Sequence, residues 1–242
     1  MHAVLEWAGL TAAALLASTL AAVTGFGGAA VLLPVLMVVF GVRAAVPILT
    51  VAQLIGNGSR VWLNWRELDR RVAGWFALGG VPMALLGGYL FAAAPSQSLT
   101  RLLGAFLLLV VLWRHLRPRR PGAFPAPVFA GIGAGASFLS ALLGSVGPLM
   151  APFFLAYGLV KGAYIGTEAL STVVMHVTKL IAYRETLVLP LHDVWVGLAL
   201  GPPMVLGSFL GKRIVDRLPE KVFVAIVEAV LIVAGLGFLI RG

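Results

Sequence analysis

Apolar residues run along the chain in ten stretches, roughly 4–23, 29–40, 44–64, 72–93, 99–116, 126–143, 147–157, 162–183, 190–210 and 219–240. Most approach the length of about 20 residues that a helix needs to cross a bilayer. The second and seventh do not: at about 1.5 Å per residue, a helix of about 12 residues covers some 18 Å of a hydrocarbon core about 30 Å thick. Each short stretch directly follows a glycine cluster, Thr24-Gly25-Phe26-Gly27-Gly28 or Gly144-Ser145-Val146-Gly147-Pro148. Glycines inside an apolar run break or bend a helix. The pattern therefore predicts broken helices near the bilayer midplane, and leaves open whether 29–40 and 147–157 are re-entrant or spanning.

The halves repeat. Gly25 and Gly28 match Gly144 and Gly147, Pro34 matches Pro152, Gly41 and Thr50 match Gly158 and Thr167, Pro82 and Leu90 match Pro203 and Leu210, and Arg101 matches Lys221, all at offsets of 117–121 residues. The expected architecture is an all-α polytopic membrane protein of two inverted repeats, each of about five apolar segments, with 8–10 segments in total. Its expected boundaries are 1–116 for the first repeat, 117–125 for a cytoplasmic linker and 126–242 for the second repeat. The Pro- and Arg-rich run RPRRPGAFPAP at 117–127 suits a stiff, non-helical connection. Met1 to Ala22 lacks the positive start of a signal peptide and carries Glu6, so it is read as a retained first helix.

Polar residues inside the apolar runs are patterned. Thr50, Gln53, Asn57, Arg60 and Asn64 follow one another at steps of three or four, and so do Glu168, Thr172, His176, Lys179 and Tyr183. Each set makes one stripe on a helix. The two helices hold equivalent places in the repeat. Polar groups in a span are costly and line cavities or pair with one another. Gln53, Asn57, Thr172 and His176 are expected to converge on one cavity beside the glycine breaks. Arg60, Asn64, Lys179 and Tyr183 lie nearer helix ends, where snorkelling to the interface is an equal explanation. Glu228 stands outside any stripe.

Composition agrees with this class. Of 242 residues, 60% are hydrophobic and 11% charged, against about 25% charged in soluble domains. The net charge of +9 does not point to nucleic acid, because the basic residues sit in short loops between apolar runs. Basic loops stay cytoplasmic. In the first half the basic loop (Arg66, Arg70, Arg71) follows the third segment; in the second (Lys212, Arg213, Arg217, Lys221) it follows the ninth. Placing both, with the basic linker 114–122, inside requires inverted halves with both termini outside; Arg43 and Arg241 dissent. The chain has no cysteine, and His2, His115, His176 and His192 lack metal-ligand spacing, so no metal site and no cofactor is expected.

The glycine clusters favour an anion. Glycine lets backbone N–H groups approach a ligand, and each cluster opens a helix at its positive dipole end. The expected binding residues are Thr24, Gly25, Gly27, Gly28, Gln53, Asn57, Gly144, Ser145, Gly147, Thr172 and His176, with Gly27 and Gly28 in helix-incompatible conformations. Glu168, His176 and Lys179 are candidates for proton coupling. A passive small-anion channel stays open as an alternative, because broken helices serve channels too. An intramembrane enzyme is a weaker one, since Ser171 and His176 point to different faces of one helix.

Thr24-Gly25-Phe26-Gly27-Gly28 with Pro34 downstream resembles the glycine–proline signature of the TauE/SafE family of sulfite and organosulfonate exporters, also called the toluene-sulfonate uptake permease family. The length and the two repeats without a soluble domain resemble it as well. The second cluster departs from the signature at Ser145, Val146 and Pro148. The resemblance implies a secondary transporter, an exporter of a small sulfur-containing anion such as sulfite, sulfoacetate or another organosulfonate. It would be a multi-pass protein of the inner or plasma membrane. The expected partners are that anion and the lipid bilayer, with a homodimer as an option and no nucleic acid.

Overall fold

The computed structural model describes residues 2–95, 125–219 and 221–222, and among these the regular structure is all helix. The helices are α1 (His2–Thr24), α2 (Gly28–Leu63), α3 (Arg70–Ala93), α4 (Val128–Leu143), α5 (Gly147–Ala156), α6 (Lys161–Glu185), α7 (Leu191–Ala199) and α8 (Gly201–Arg217). The fifth apolar stretch, nearly all of the tenth, Glu228 and the linker up to 124 lie outside the described residues. Four of the described spans are long and apolar enough to cross a membrane: Leu5–Thr24, Val31–Leu63, Arg70–Ala93 and Leu191–Arg217. This is a membrane protein.

One apolar stretch is divided and extended relative to the sequence reading, and another junction keeps its break. The stretches 29–40 and 44–64 both lie within Gly28–Leu63 (α2), as two helical parts that meet at Gly41, whose backbone (φ 74°, ψ 163°) is non-helical. The stretch 190–210 runs on to Arg217 and divides at Leu200, just before Gly201-Pro202-Pro203, where two prolines remove backbone donors. The order of features occurs twice. A helix ends at left-handed glycine (Gly25 and Gly27, or Gly144), a second helix follows, another left-handed glycine turns the chain (Gly41 or Gly158), and a long polar-striped helix begins.

Small residues set the packing. Along α1 and α8, Ser18 Oγ lies 2.9 Å from Ser208 Oγ, Gly207 faces Leu15 and Ser18, and Gly211 faces Ala22, so the two helices run parallel. Along α3 and α4, Gly79 lies against Ala130 and Gly87 against Phe138 and Ala141, again parallel. Without a hydrophobic driving force between helices in lipid, such close backbone approach is what holds them. The first helix of each half thus packs on the fourth apolar stretch of the other. At the centre the direction reverses: Arg60, Asn64 and Glu67 meet Glu168, Gly166 and Gly162 in turn, so α2 and α6 are antiparallel.

Charged ends complete the frame. Asp69 caps α3, its Oδ1 accepting from Arg71 N and Val72 N at 3.0 Å each. Lys212 Nζ reaches Glu67 Oε1 at 3.3 Å, which brings the 66–71 loop and the basic end of α8 to the same end of the bundle. Arg43, the dissenter in the charge pattern, donates to the Ala92 carbonyl at 2.7 Å and so occupies the negative end of α3.

Candidate functional site

The two glycine breaks meet inside the bundle. A Cβ on Gly147 would lie 2.9 Å from Phe26 Cβ, and Gly27 N is 3.8 Å away. Gly25 (φ 82°) and Gly27 (φ 92°) carry the left-handed turns of the first break, and Gly144 (φ 84°) that of the second. Gly28 does not: it is already the first residue of α2, so the expectation of a helix-incompatible backbone moves from Gly28 to Gly25. One left-handed residue just before Gly28 redirects the chain, and the helix then starts at once. Neither α2 nor α5 has a side-chain cap at its start. In α2 the first N–H groups have no intrahelical acceptor; in the first turn of α5, Pro148 has no N–H and Leu149 N donates to the Val146 carbonyl at 2.9 Å, which leaves the N–H of Gly147.

Between the breaks lies a cavity of about 40 Å³. A void needs about 10–15 Å³ on this measure to hold one water, so it admits a few waters or one compact ion. Its polar wall comes from Gln53, Asn57 and Arg60 of α2, Ser140 of α4, and Glu168, Thr172 and His176 of α6. Its backbone floor comes from Gly25, Gly27, Gly28, Gly144, Ser145 and Gly147.

Ten of the eleven expected binding residues therefore line one cavity. Thr24 does not. Its buried hydroxyl donates to the Phe26 carbonyl at 2.6 Å and lies 2.9 Å from the Leu20 carbonyl, bracing the turn from behind. Lys179 sits one layer back: fully buried, it donates to Ser140 Oγ at 3.0 Å. It touches the cavity wall through that serine. Ser171 donates to the Thr167 carbonyl at 2.9 Å within its own helix, and it is His176, without Ser171, that reaches the cavity.

Arg60 is the main residue that sequence reasoning undervalued. Its guanidinium is buried, donating from Nη1 to the Ala21 and Gly25 carbonyls at 3.0 Å each and from Nη2 to Asn57 Oδ1. It ties the C-terminal carbonyls of α1 to α2 and faces Glu168 Oε2 at 3.6 Å. Neither it nor Lys179 snorkels. The signal was present, since Arg60 continues the Gln53–Asn57 stripe and an acidic residue sits on the matching stripe. The other oxygen of Glu168, Oε1, accepts from Thr172 Oγ1 at 3.0 Å. Asn57 in turn donates to the Gln53 carbonyl at 2.7 Å.

The decisive comparison follows from the whole chain. The family model described as "Sulfite exporter TauE/SafE" matches residues 10–238. The protein belongs to the TauE/SafE family. Neither the curated proteins nor the solved structures yield a match. The match spans both halves and so includes both glycine breaks, both polar stripes and the cavity between them in this TauE/SafE chain. It places the chain in a family of membrane transporters.

Proposed function

We propose that this chain is a secondary transporter that exports a small sulfur-containing anion, such as sulfite, sulfoacetate or another organosulfonate, by alternating access across the inner or plasma membrane. The observation that carries the reading is the meeting of two uncapped helix starts over a buried guanidinium. Helix N-termini bind anions through free N–H groups and the positive dipole end. Arg60, Asn57, Gln53, Thr172 and His176 add side-chain groups around the same volume. One net cation at most, with Arg60 offset by Glu168, suits a site that must also release its anion.

The antiparallel run of α2 against α6, and the exchange by which α1 packs on α8 and α4 on α3, support two inverted repeats. The contact between Lys212 and Glu67 supports a single cytoplasmic end carrying the basic loops. Glu168 and His176 on the cavity wall, with Lys179 one serine away, support coupling to protons.

The test is a thermal-shift titration of the purified protein with sulfite, thiosulfate, sulfoacetate, taurine and sulfate. A ligand held by the folded state stabilises it by about 2.7 kcal/mol at a hundred times its dissociation constant. A stabilising sulfur anion that also drives counterflow in liposomes supports export by a carrier. Conduction that follows the reversal potential, without counterflow, favours a channel. No response to any of the five anions ends the proposal.

A further inference from the structure

Two buried polar atoms of the cavity wall stand unpaired, one of them an acceptor by its chemistry. Glu168 Oε2 and His176 Nδ1 are buried and have no hydrogen-bond partner among the described residues, and both residues line the cavity. The ion pair with Arg60 does not satisfy Glu168. A terminal guanidinium nitrogen carries two protons, and those of Arg60 Nη1 are directed at the Ala21 and Gly25 carbonyls. Arg60 thus lends Glu168 a field without donating to it at 3.6 Å. A carboxylate accepts and does not donate, and a neutral imidazole has one accepting nitrogen. A bare anion that offers only oxygen acceptors would satisfy the helix N-termini and leave Glu168 facing it unpaired.

From this we infer that the site selects an anion carrying its own proton donor: an oxyanion with an O–H or N–H group, hydrogensulfite rather than sulfite dianion or an alkylsulfonate without a donor. The reading rests on the proposed anion site and narrows its substrate class. The anionic oxygens face the N–H groups at Gly28 and Gly147, and the donor faces Glu168 Oε2, with His176 Nδ1 a second acceptor in the tautomer protonated at Nε2. Sites built around a buried acceptor reject analogues lacking the donor, because the acceptor is then stranded. A proton then leaves with each anion exported, carried by the substrate.

The discriminating pair is sulfamate and methanesulfonate, similar in size and singly charged, one ending in NH₂ and the other in CH₃. Titrated against the purified full chain, sulfamate should bind about tenfold or more tightly than methanesulfonate, the ratio expected for a hydrogen bond to a charged acceptor. Glu168→Gln, which presents a donor in place of an acceptor oxygen, should remove that preference. Equal affinities on the unmodified protein overturn the inference while leaving the anion site standing. So does a Glu168→Gln protein that keeps the parent preference. If neither probe nor sulfite binds, the anion-site reading itself fails. The ratio on the unmodified chain needs no variant to fold.

Discussion

Arg60 and Glu168 face each other 3.6 Å apart from antiparallel helices, each side chain only 5% exposed. Their supports are unequal. Among the described residues, Arg60 keeps three protein acceptors if Glu168 is lost, whereas Glu168 without Arg60 retains only Thr172. Breaking a buried pair costs about 3–5 kcal/mol when one charge is stranded. Arg60→Ala is therefore expected to destabilise by that amount and Glu168→Ala by less. The double variant should be less destabilised than the sum. Thermal unfolding of the three variants in detergent checks the order, and equal losses would contradict it.

The left-handed glycines should rank by what surrounds them. A Cβ on Gly25 would run into the Tyr164 ring, while one on Gly144 would meet only the flexible ends of Leu33, Val46 and Leu49 at 3.3–3.6 Å. Gly144→Ala should cost about 1–2 kcal/mol, the backbone strain alone. Gly25→Ala should cost clearly more, read as a larger drop in unfolding temperature.

His176 offers a clean separation of binding from folding. Because its Nδ1 has no hydrogen-bond partner among the described residues, His176→Ala should unfold within a few degrees of the parent and yet lose most of the stabilisation that sulfite gives. Asn57→Ala is less clean, since Asn57 also holds Arg60; it should lower both. Undiminished sulfite stabilisation in His176→Ala would remove that residue from the site.

Lys179 and Ser140 should respond in opposite ways. Lys179→Met removes a buried charge and fills the same space, and such replacements are often neutral or stabilising. Ser140→Ala leaves the ammonium, among the described residues, with only the residue-140 carbonyl at 3.4 Å and should destabilise by about 1–3 kcal/mol. Comparison of the two unfolding temperatures decides it.

The absence of native cysteine makes topology directly testable by single-cysteine labelling. Trp65→Cys, at the basic end, should react with a membrane-impermeant maleimide only after cells are permeabilised. Leu187→Cys, just past the opposite end of α6, should react in intact cells. The reverse pattern would invert the orientation.

Much of the site was legible because its signals are local. Left-handed glycine needs no partner to be noticed, and steps of three and four place Gln53, Asn57, Thr172 and His176 on helix faces whatever those faces touch. What stayed hidden depends on depth and on other chains of contacts. Arg60 and Lys179 read as interfacial because a sequence does not say that carbonyls of α1 or the Ser140 hydroxyl wait beside them. The break at Gly41 between 29–40 and 44–64 was legible, because a glycine with positive φ shows in the sequence as a glycine between two apolar runs. Thr24 had the right chemistry, but its hydroxyl satisfied the turn it belongs to.

The reciprocal seam between α1 and α8 has a consequence for biogenesis. Gly207, Ser208 and Gly211 complete the face of α1 that carries Leu15, Ser18 and Ala22, yet they are synthesised some 190 residues later. Until Gly201–Arg217 enters the bilayer, the first helix presents that notched face to lipid. A nascent chain stalled before α8 would therefore be a substrate for membrane quality control, however well its first half is inserted.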